Sequence, residues 1–434
     1  MISPPIVIYR THCHASLQID RLKKMLHQTH TLENGLSVVG EFDPDARSVA
    51  LGFFVKTGAR DENFALESGV SHFLEHMMFK GSPNRSAEQI NRDFDALGAR
   101  YNAFTSEEET VYYGAVLPPA QENLTEILAD MLRPALRQSD FDTEKKVILE
   151  EIAMYRDRPT SRMWDLLRAK FYGEHPLGQS ILGAASSIEK LQRDQMLDYF
   201  SRRYAANNIS FVLTGNFDWQ LAKTQIEALC GAWERFDSPR ETAPIASPGG
   251  VFLEKTDEFN RAHIALMDVG YSTQDETRIA AAIACEIIGG GENSRLYWRL
   301  VHSGIATTAT LGHDAQDGAG TFYGALICPP ENAQTALTAF RDELENARAG
   351  VSPEELNRAK AGYASRIALG SETPMGRFRG VGFGWMYRRE LLSGAQLLEK
   401  ILAVQLDDVN AILRERFFEN PTVAAVGPVE NLRF

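Results

Sequence analysis

Apolar and polar positions along the chain predict alternating strands and helices. Val49-Ala50-Leu51-Gly52-Phe53-Phe54-Val55 is an unbroken apolar run, the pattern of a central strand. Thr29 to Val39 predicts a strand, a tight Asn34-Gly35 turn and a second strand. Arg100 to Thr105 and Glu109 to Val116 predict two more strands joined by an acidic turn. Helical patterns cover Ser71 to Lys80, then a stretch opened by the capping pattern Ser86-Ala87-Glu88-Gln89 and closed by Gly98. Further helices are predicted over Pro118 to Leu136, Asp140 to Asp157 and Ser161 to Tyr172. The loop His175-Pro176-Leu177-Gly178 follows, then a helix from Ile188 to Tyr204 and a strand from Asn208 to Asn216.

Between Phe236 and Gly250, Pro239, Pro244, Pro248, Gly249 and Gly250 cluster with Ser and Thr, which predicts a linker. Beyond it the order restarts: a strand (His263 to Asp268), a long helix (Thr277 to Ile288), glycines, a helix (Ser294 to His302), then strands and helices. Similar length and order in the two halves predict an internal duplication. The expected fold is α+β: two similar α/β domains, each a mainly antiparallel sheet packed with helices. The expected organisation is an N-terminal extension (1–24), a first domain (25–235), a linker (236–250) and a second domain (251–434).

Composition narrows the function. The chain has 434 residues, 44% of them hydrophobic and 24% charged, as in soluble proteins of more than one domain. A net charge of −13 argues against general nucleic-acid binding, which needs a basic footprint. Cys13, Cys230, Cys285 and Cys328 show neither pairing nor Cys-x-x-Cys spacing, so no disulfide framework or thiolate metal site is expected. No apolar run reaches membrane-spanning length, and the first residues lack a secretory pattern. The expectation is a cytoplasmic protein with no membrane partner.

The chemistry concentrates in Ser71-His72-Phe73-Leu74-Glu75-His76-Met77-Met78-Phe79-Lys80-Gly81. Four residues apart on a helix, His72 and His76 share a face, so both can grip one metal ion, and Glu75 reaches the rim of the same site. Two histidines and a glutamate in an apolar helix need partners, and a metal satisfies all three. His-x-x-Glu-His is a signature of one class of zinc peptidases. Catalytic zinc takes three protein ligands and keeps one open position, so a third ligand must come from elsewhere. The helix from Phe141 to Ile152 offers carboxylates: Glu144 and Glu151 lie two turns apart on one face, beside the core residues Val147 and Ile148.

With these residues the chain resembles the pitrilysin-type zinc peptidases, and most closely their mitochondrial processing peptidase-like branch of two-domain subunits. The likeness rests on Thr31 to Leu36, Gly58 to Glu62, Gly69 to Gly81, Asn102 to Thr105, Thr110 to Tyr113, Glu144 to Glu151 and His175 to Gly178. It continues more weakly through Gly289 to Leu296. The resemblance implies one Zn2+ per chain on His72, His76 and Glu151, which follows His76 by 75 residues. It implies Glu75 as the base that takes the proton of the zinc-bound water, and Glu144 as an acid acting from behind the ligands. It also implies that Asn102, Ala103 and Phe104 lie on an edge strand that receives an unstructured peptide as an added strand.

One part of the family pattern is missing. Self-sufficient members carry an Arg and, after six further residues, a Tyr beyond a Ser-Arg-Leu stretch in their last domain. Here Ser294-Arg295-Leu296 is present, but Thr307 stands at the Tyr position and Leu300 or Val301 at the Arg position. Arg295, Tyr297 and Arg299 are the nearby substitutes. The implied arrangement is a heterodimer in which a homologous sister subunit supplies the pair. A non-catalytic structural or peptide-binding subunit, like the related core proteins of a respiratory complex, is the alternative; the intact His72, Glu75, His76 and Glu151 favour the peptidase.

Overall fold

A computed structural model describes residues 25–434; the expected extension 1–24 lies outside them. The first domain opens with β1 (Leu26–Thr31), β2 (Ser37–Phe42), β3 (Val49–Val55), α1 (Val70–Met78) and α2 (Ala87–Ala96). The hairpin β4 (Arg100–Thr105) and β5 (Thr110–Val116) follows. Then come α3 (Gln121–Met131), α4 (Gln138–Arg156), α5 (Pro159–Tyr172), α6 (Ala185–Lys190), α7 (Arg193–Arg203), β6 (Ile209–Gly215) and α8 (Trp219–Cys230). The second domain comprises β7 (Gly250–Lys255), β8 (Ala262–Val269), α9 (Arg278–Gly289) and a π-helical turn (Tyr297–Val301). It ends with β9 (Thr308–Gln316), β10 (Ala319–Cys328), α10 (Ala333–Ala347), α11 (Pro353–Gly370), α12 (Pro374–Arg388), α13 (Gly394–Ala403), α14 (Leu406–Glu415) and β11 (Thr422–Gly427).

The two sheets run β1-β2-β6-β3-β5-β4 and β7-β11-β8-β10-β9. The pairs β2/β6 and β7/β11 are parallel, and all other neighbours are antiparallel. Strands β2, β6, β3, β5 and β4 therefore map one to one, in order and direction, onto β7, β11, β8, β10 and β9. The duplication is visible in the topology, and α9 follows β8 as α1 follows β3. Among the described residues β1 has no counterpart.

Each domain lends a helix to the other. Met163, Leu167 and Phe171 of α5 bury against Ala265, Met267, Ala424 and Val426 of the second sheet. Phe378, Val381 and Met386 of α12 bury reciprocally against Val39, Ala50, Phe54 and Val212 of the first. Gly382 lets α12 lie close: a Cβ there would fall 2.1 Å from the Phe54 ring.

Several local outcomes differ from the sequence pattern. The β1–β2 connection is a loop through Leu32 to Leu36 rather than a two-residue turn. Asn34 donates its amide to the carbonyls of Cys230, Gly231 and Trp233, so tertiary contact sets the loop. Ser86 caps α2 by accepting from the Gln89 amide, but the Gln89 side chain turns to Asp93 instead of closing the box. The helix expected over Ile188 to Tyr204 breaks at Leu191 and Gln192, where Lys145 of α4 donates to the carbonyls of Glu189 and Leu191. The helix expected from Pro118 ends at Met131, and Leu136 takes a left-handed turn (φ 43°). The segment between the domains is pinned: Arg240, 5% exposed, pairs with Asp61 and Asp317. Cys230, Cys285 and Cys328 are buried free thiols. Among the described residues no helix is long and apolar enough to cross a membrane.

Candidate metal centre

Gly69 (φ 92°) turns the chain into α1. The carboxylate of Glu62 accepts from the amides of Gly69 and Ser71 at 2.7 and 2.8 Å, satisfying donors that a helix start leaves open. Burial pushes Glu62 up to about 8 despite those bonds. Val70, Phe73, Leu74 and Met77 bury in the core, and Phe73 stacks on Phe141 of α4 with ring centroids 4.7 Å apart. That packing fixes the rotation of α1 and presents His72 and His76, rings 4.6 Å apart, to the stripe of α4 carrying Glu144 and Glu151.

Both histidines converge on one oxygen. Glu151 Oε2 lies 3.2 Å from His72 Nε2 and 3.7 Å from His76 Nε2. One ligand-capable atom from each of His72, His76 and Glu151 falls within 4.8 Å of the others. Ligands on a tetrahedral zinc with bonds near 2.0 to 2.2 Å stand about 3.4 Å apart, so this donor set fits the ion with small side-chain shifts. Behind it, His76 Nδ1 meets Glu144 Oε1 at 2.8 Å, and Glu144 Oε2 meets Lys80 Nζ at 2.6 Å. Such a carboxylate orients the ring and leaves its other nitrogen for a metal. Glu75 Oε2 accepts from Thr105 Oγ1 at 2.7 Å and lies 3.8 Å from His72 Nδ1.

Groups of both charges crowd the site. Burial opposes charge on His72, yet the Glu151 and Glu75 carboxylates outweigh it and push the imidazole up to about 9. The His72 hydrogen bond, against burial, holds Glu151 below the usual carboxylate range. Glu144 is held low as well: His76 and Lys80 outweigh its burial.

The centre opens on a cleft of about 480 Å³. One wall is β4, the edge strand of its sheet, through Ala103, Phe104 and Thr105. The other carries Trp164, Asp165 and Arg168 of α5. Asn102 is exposed on β4 and is not part of the lining, so of the three expected strand residues Ala103 and Phe104 meet the cleft. Sequence reasoning named neither Thr105 nor Lys80 for the site. Lys80 stands four residues after His76, in the turn just past the end of α1, and that spacing is the signal that marks it. The remaining candidates lie apart: the lining residues all fall between His72 and Leu182. Arg295 is held by Glu355 at 2.7 and 2.8 Å, and Arg299 faces Asp342 and Glu343. Tyr297 packs edge-on to Trp298, and Thr307 donates to the Ile327 carbonyl at 3.0 Å.

The chain is similar to known proteins along most of its length. The family model described as insulinase (peptidase family M16) matches residues 37–185, and that of the peptidase M16 inactive domain matches residues 190–363. An uncharacterised zinc protease of Streptomyces coelicolor is 30% identical over 92% of this chain and 89% of its own. One of Bacillus subtilis is 30% identical over 93% and 98%. Among solved structures, a peptidase M16 inactive domain from Pseudomonas fluorescens superposes with a TM-score of 0.87 at 18% identity, covering 94% of this chain and 100% of that one. A protease from Helicobacter pylori superposes at 0.86 and 20% identity, covering 93% and 100%.

Proposed function

The chain belongs to the insulinase family, peptidase family M16, and on that footing we propose that it is a zinc-dependent endopeptidase subunit cleaving unstructured peptides. The observation that carries this reading is the convergence of His72 Nε2 and His76 Nε2 on Glu151 Oε2, with Glu75 beside them, at the foot of an edge strand. One ion per chain is held by His72, His76 and Glu151. Bound there, zinc lowers the pKa of its water to about 7 and polarises a carbonyl. Glu75 takes the proton of the attacking water on a carboxylate oxygen and later delivers it to the leaving amine. Thr105 aims that carboxylate, and the Lys80–Glu144–His76 chain fixes the second imidazole. The free edge of β4, with Asn102, Ala103 and Phe104, receives the substrate backbone as an added strand, which requires an extended segment.

The heterodimer belongs to the same proposal. Nothing from the second domain lines the cleft, and Arg295 and Arg299 are committed to acids of their own domain. The donors that complete the site then come from a sister subunit, and the pair works in the cytoplasm. The test is Glu75→Gln: zinc content stays at the wild-type level while hydrolysis of an unstructured peptide by the complete complex falls by about 100- to 10,000-fold. Wild-type turnover in that variant would remove Glu75 from the mechanism. Full zinc retention in both His76→Ala and Glu151→Gln would remove the metal centre itself.

A further inference from the structure

The second domain carries an open cavity of about 490 Å³. Its walls are α9, β9, α11 and α12, with α13 at one end. By topology the first four are the counterparts of α1, β4, α4 and α5, the elements that wall the metal cleft. The duplication has kept the cleft and exchanged its chemistry. In place of imidazoles and carboxylates stand Ile279, Ile283, Ile367, Leu397 and Ile401.

The polar groups of this lining are mostly donors. In a chain of net charge −13, three arginines line the cavity and no acidic side chain does, among the described residues. Arg377 is committed to Glu41, and Arg278 gives one Nη1 contact each to the Asp275 carbonyl and the Glu276 carboxylate. Arg366 is 52% exposed, meets Glu286 through Nη1 at 3.0 Å and lies over Tyr363 with its guanidinium 4.3 Å from the ring centroid; its fork of five N–H groups has donors beyond these two partners. His313 Nε2 accepts the Tyr271 amide at 3.0 Å, so the proton of the neutral ring sits on Nδ1. Burial, with the charge of Arg278, pushes His313 down to about 4 and keeps it neutral near pH 7.

We propose that this cavity binds a small aliphatic carboxylate, its chain on the isoleucine and leucine walls and its anionic end on Arg366. An apolar concavity with a few convergent polar groups is the usual form of a small-molecule site. An extended peptide finds backbone acceptors on the edge strand β9, but the side chains of the lining, three arginines and no acid, favour an anion. A carboxylate with an aliphatic tail needs only donors and apolar wall, and a guanidinium fork suits its two oxygens.

The test uses decanoate as the probe, by calorimetric titration of the full chain. The wild type takes up one decanoate per chain, and decanol binds at least about tenfold more weakly. Arg366→Glu, at a half-exposed position, weakens decanoate at least about tenfold. Ile283→Trp fills the cavity and abolishes uptake, with an unchanged circular-dichroism spectrum and cooperative urea unfolding showing that the fold survives. These readouts need no peptidase activity, so the site stands or falls separately from the metal centre. The absence of saturable decanoate binding below about 1 mM overturns the proposal. So does equal binding of decanol, unchanged affinity in Arg366→Glu, or an unstructured peptide that binds at this cavity while decanoate does not.

Discussion

At the residue scale, one hydroxyl sets the direction of the proposed proton acceptor. Thr105 projects from the substrate-side strand and donates to Glu75 Oε2 at 2.7 Å, so the strand that would hold the peptide also aims the base. A hydrogen bond to a charged group is worth about 1.5 to 3 kcal/mol, and misaiming a base costs rate even where its charge is kept. Thr105→Val keeps shape and should lower kcat about tenfold or more with zinc content unchanged, and Thr105→Ser should recover most of the loss. A steady-state comparison of the three proteins, paired with metal analysis, checks this; equal kcat in Thr105→Val would leave the contact without a role. His72, Glu75 and His76 are legible in sequence because helical spacing alone stacks them on one face. Thr105 is not, since its relation to Glu75 exists only once β4 lies beside α1.

At the element scale, α1 depends on how its start is satisfied. Gly69 turns the chain in, and no side chain at the N-cap accepts the first amides; Glu62, seven residues upstream, does so with both oxygens. Glu62→Gln keeps one acceptor and should cost about 1 kcal/mol of stability. Glu62→Ala leaves two buried amides unpaired and should cost about 2 kcal/mol or more, with weaker zinc retention as the first turn of α1 loosens. Urea denaturation and zinc competition on both variants check the order; equal stability of the two would mean that water replaces the cap. The apolar run of β3 announces a central strand because burial on both faces leaves no other pattern. The break between α6 and α7 is invisible in sequence, because Lys145 of another helix takes the carbonyls of Glu189 and Leu191. An amphipathic stripe likewise shows that α5 is half buried, but not that it buries against the other domain's sheet.

At the scale of the molecule, the two domains are fastened through exchanged helices, and Glu41 with Arg377 is one of the fasteners. Arg377 of α12 binds the Glu41 carboxylate of β2 through two nitrogens at 2.8 and 2.7 Å, and His27 adds a third contact. Burial raises the affinity of Glu41 for a proton, but Arg377 and His27 outweigh it and hold the group below its ordinary 4.5. A depressed carboxylate stabilises the fold above its unfolded pKa and ceases to as pH falls through the folded value, so this contribution should begin to decline near pH 4.5 and vanish only below the lower folded value. Arg377→Leu leaves the buried Glu41 carboxylate with His27 as its remaining side-chain partner and should cost about 3 kcal/mol at pH 7, part of it returning on acidification as Glu41 takes up its proton. Urea unfolding between pH 3 and 8 shows whether the two proteins have opposite slopes; parallel slopes would deny the pair its role. The same view of the whole chain bears on activity. The residues that line the metal cleft all precede residue 183, and the arginines near the missing Arg and Tyr positions are bound to Glu355, Glu343 and Asp342. An attacked carbonyl develops negative charge that needs preorganised donors, and removal of one such donor costs about 100- to 1,000-fold in turnover. Thr307 spends its hydroxyl on the Ile327 carbonyl. The chain purified alone should therefore bind zinc yet turn over an unstructured peptide slowly, and a sister chain carrying the Arg and Tyr should raise kcat by at least about 100-fold at equal zinc occupancy. Equal turnover with and without that partner would show that this chain completes its own site.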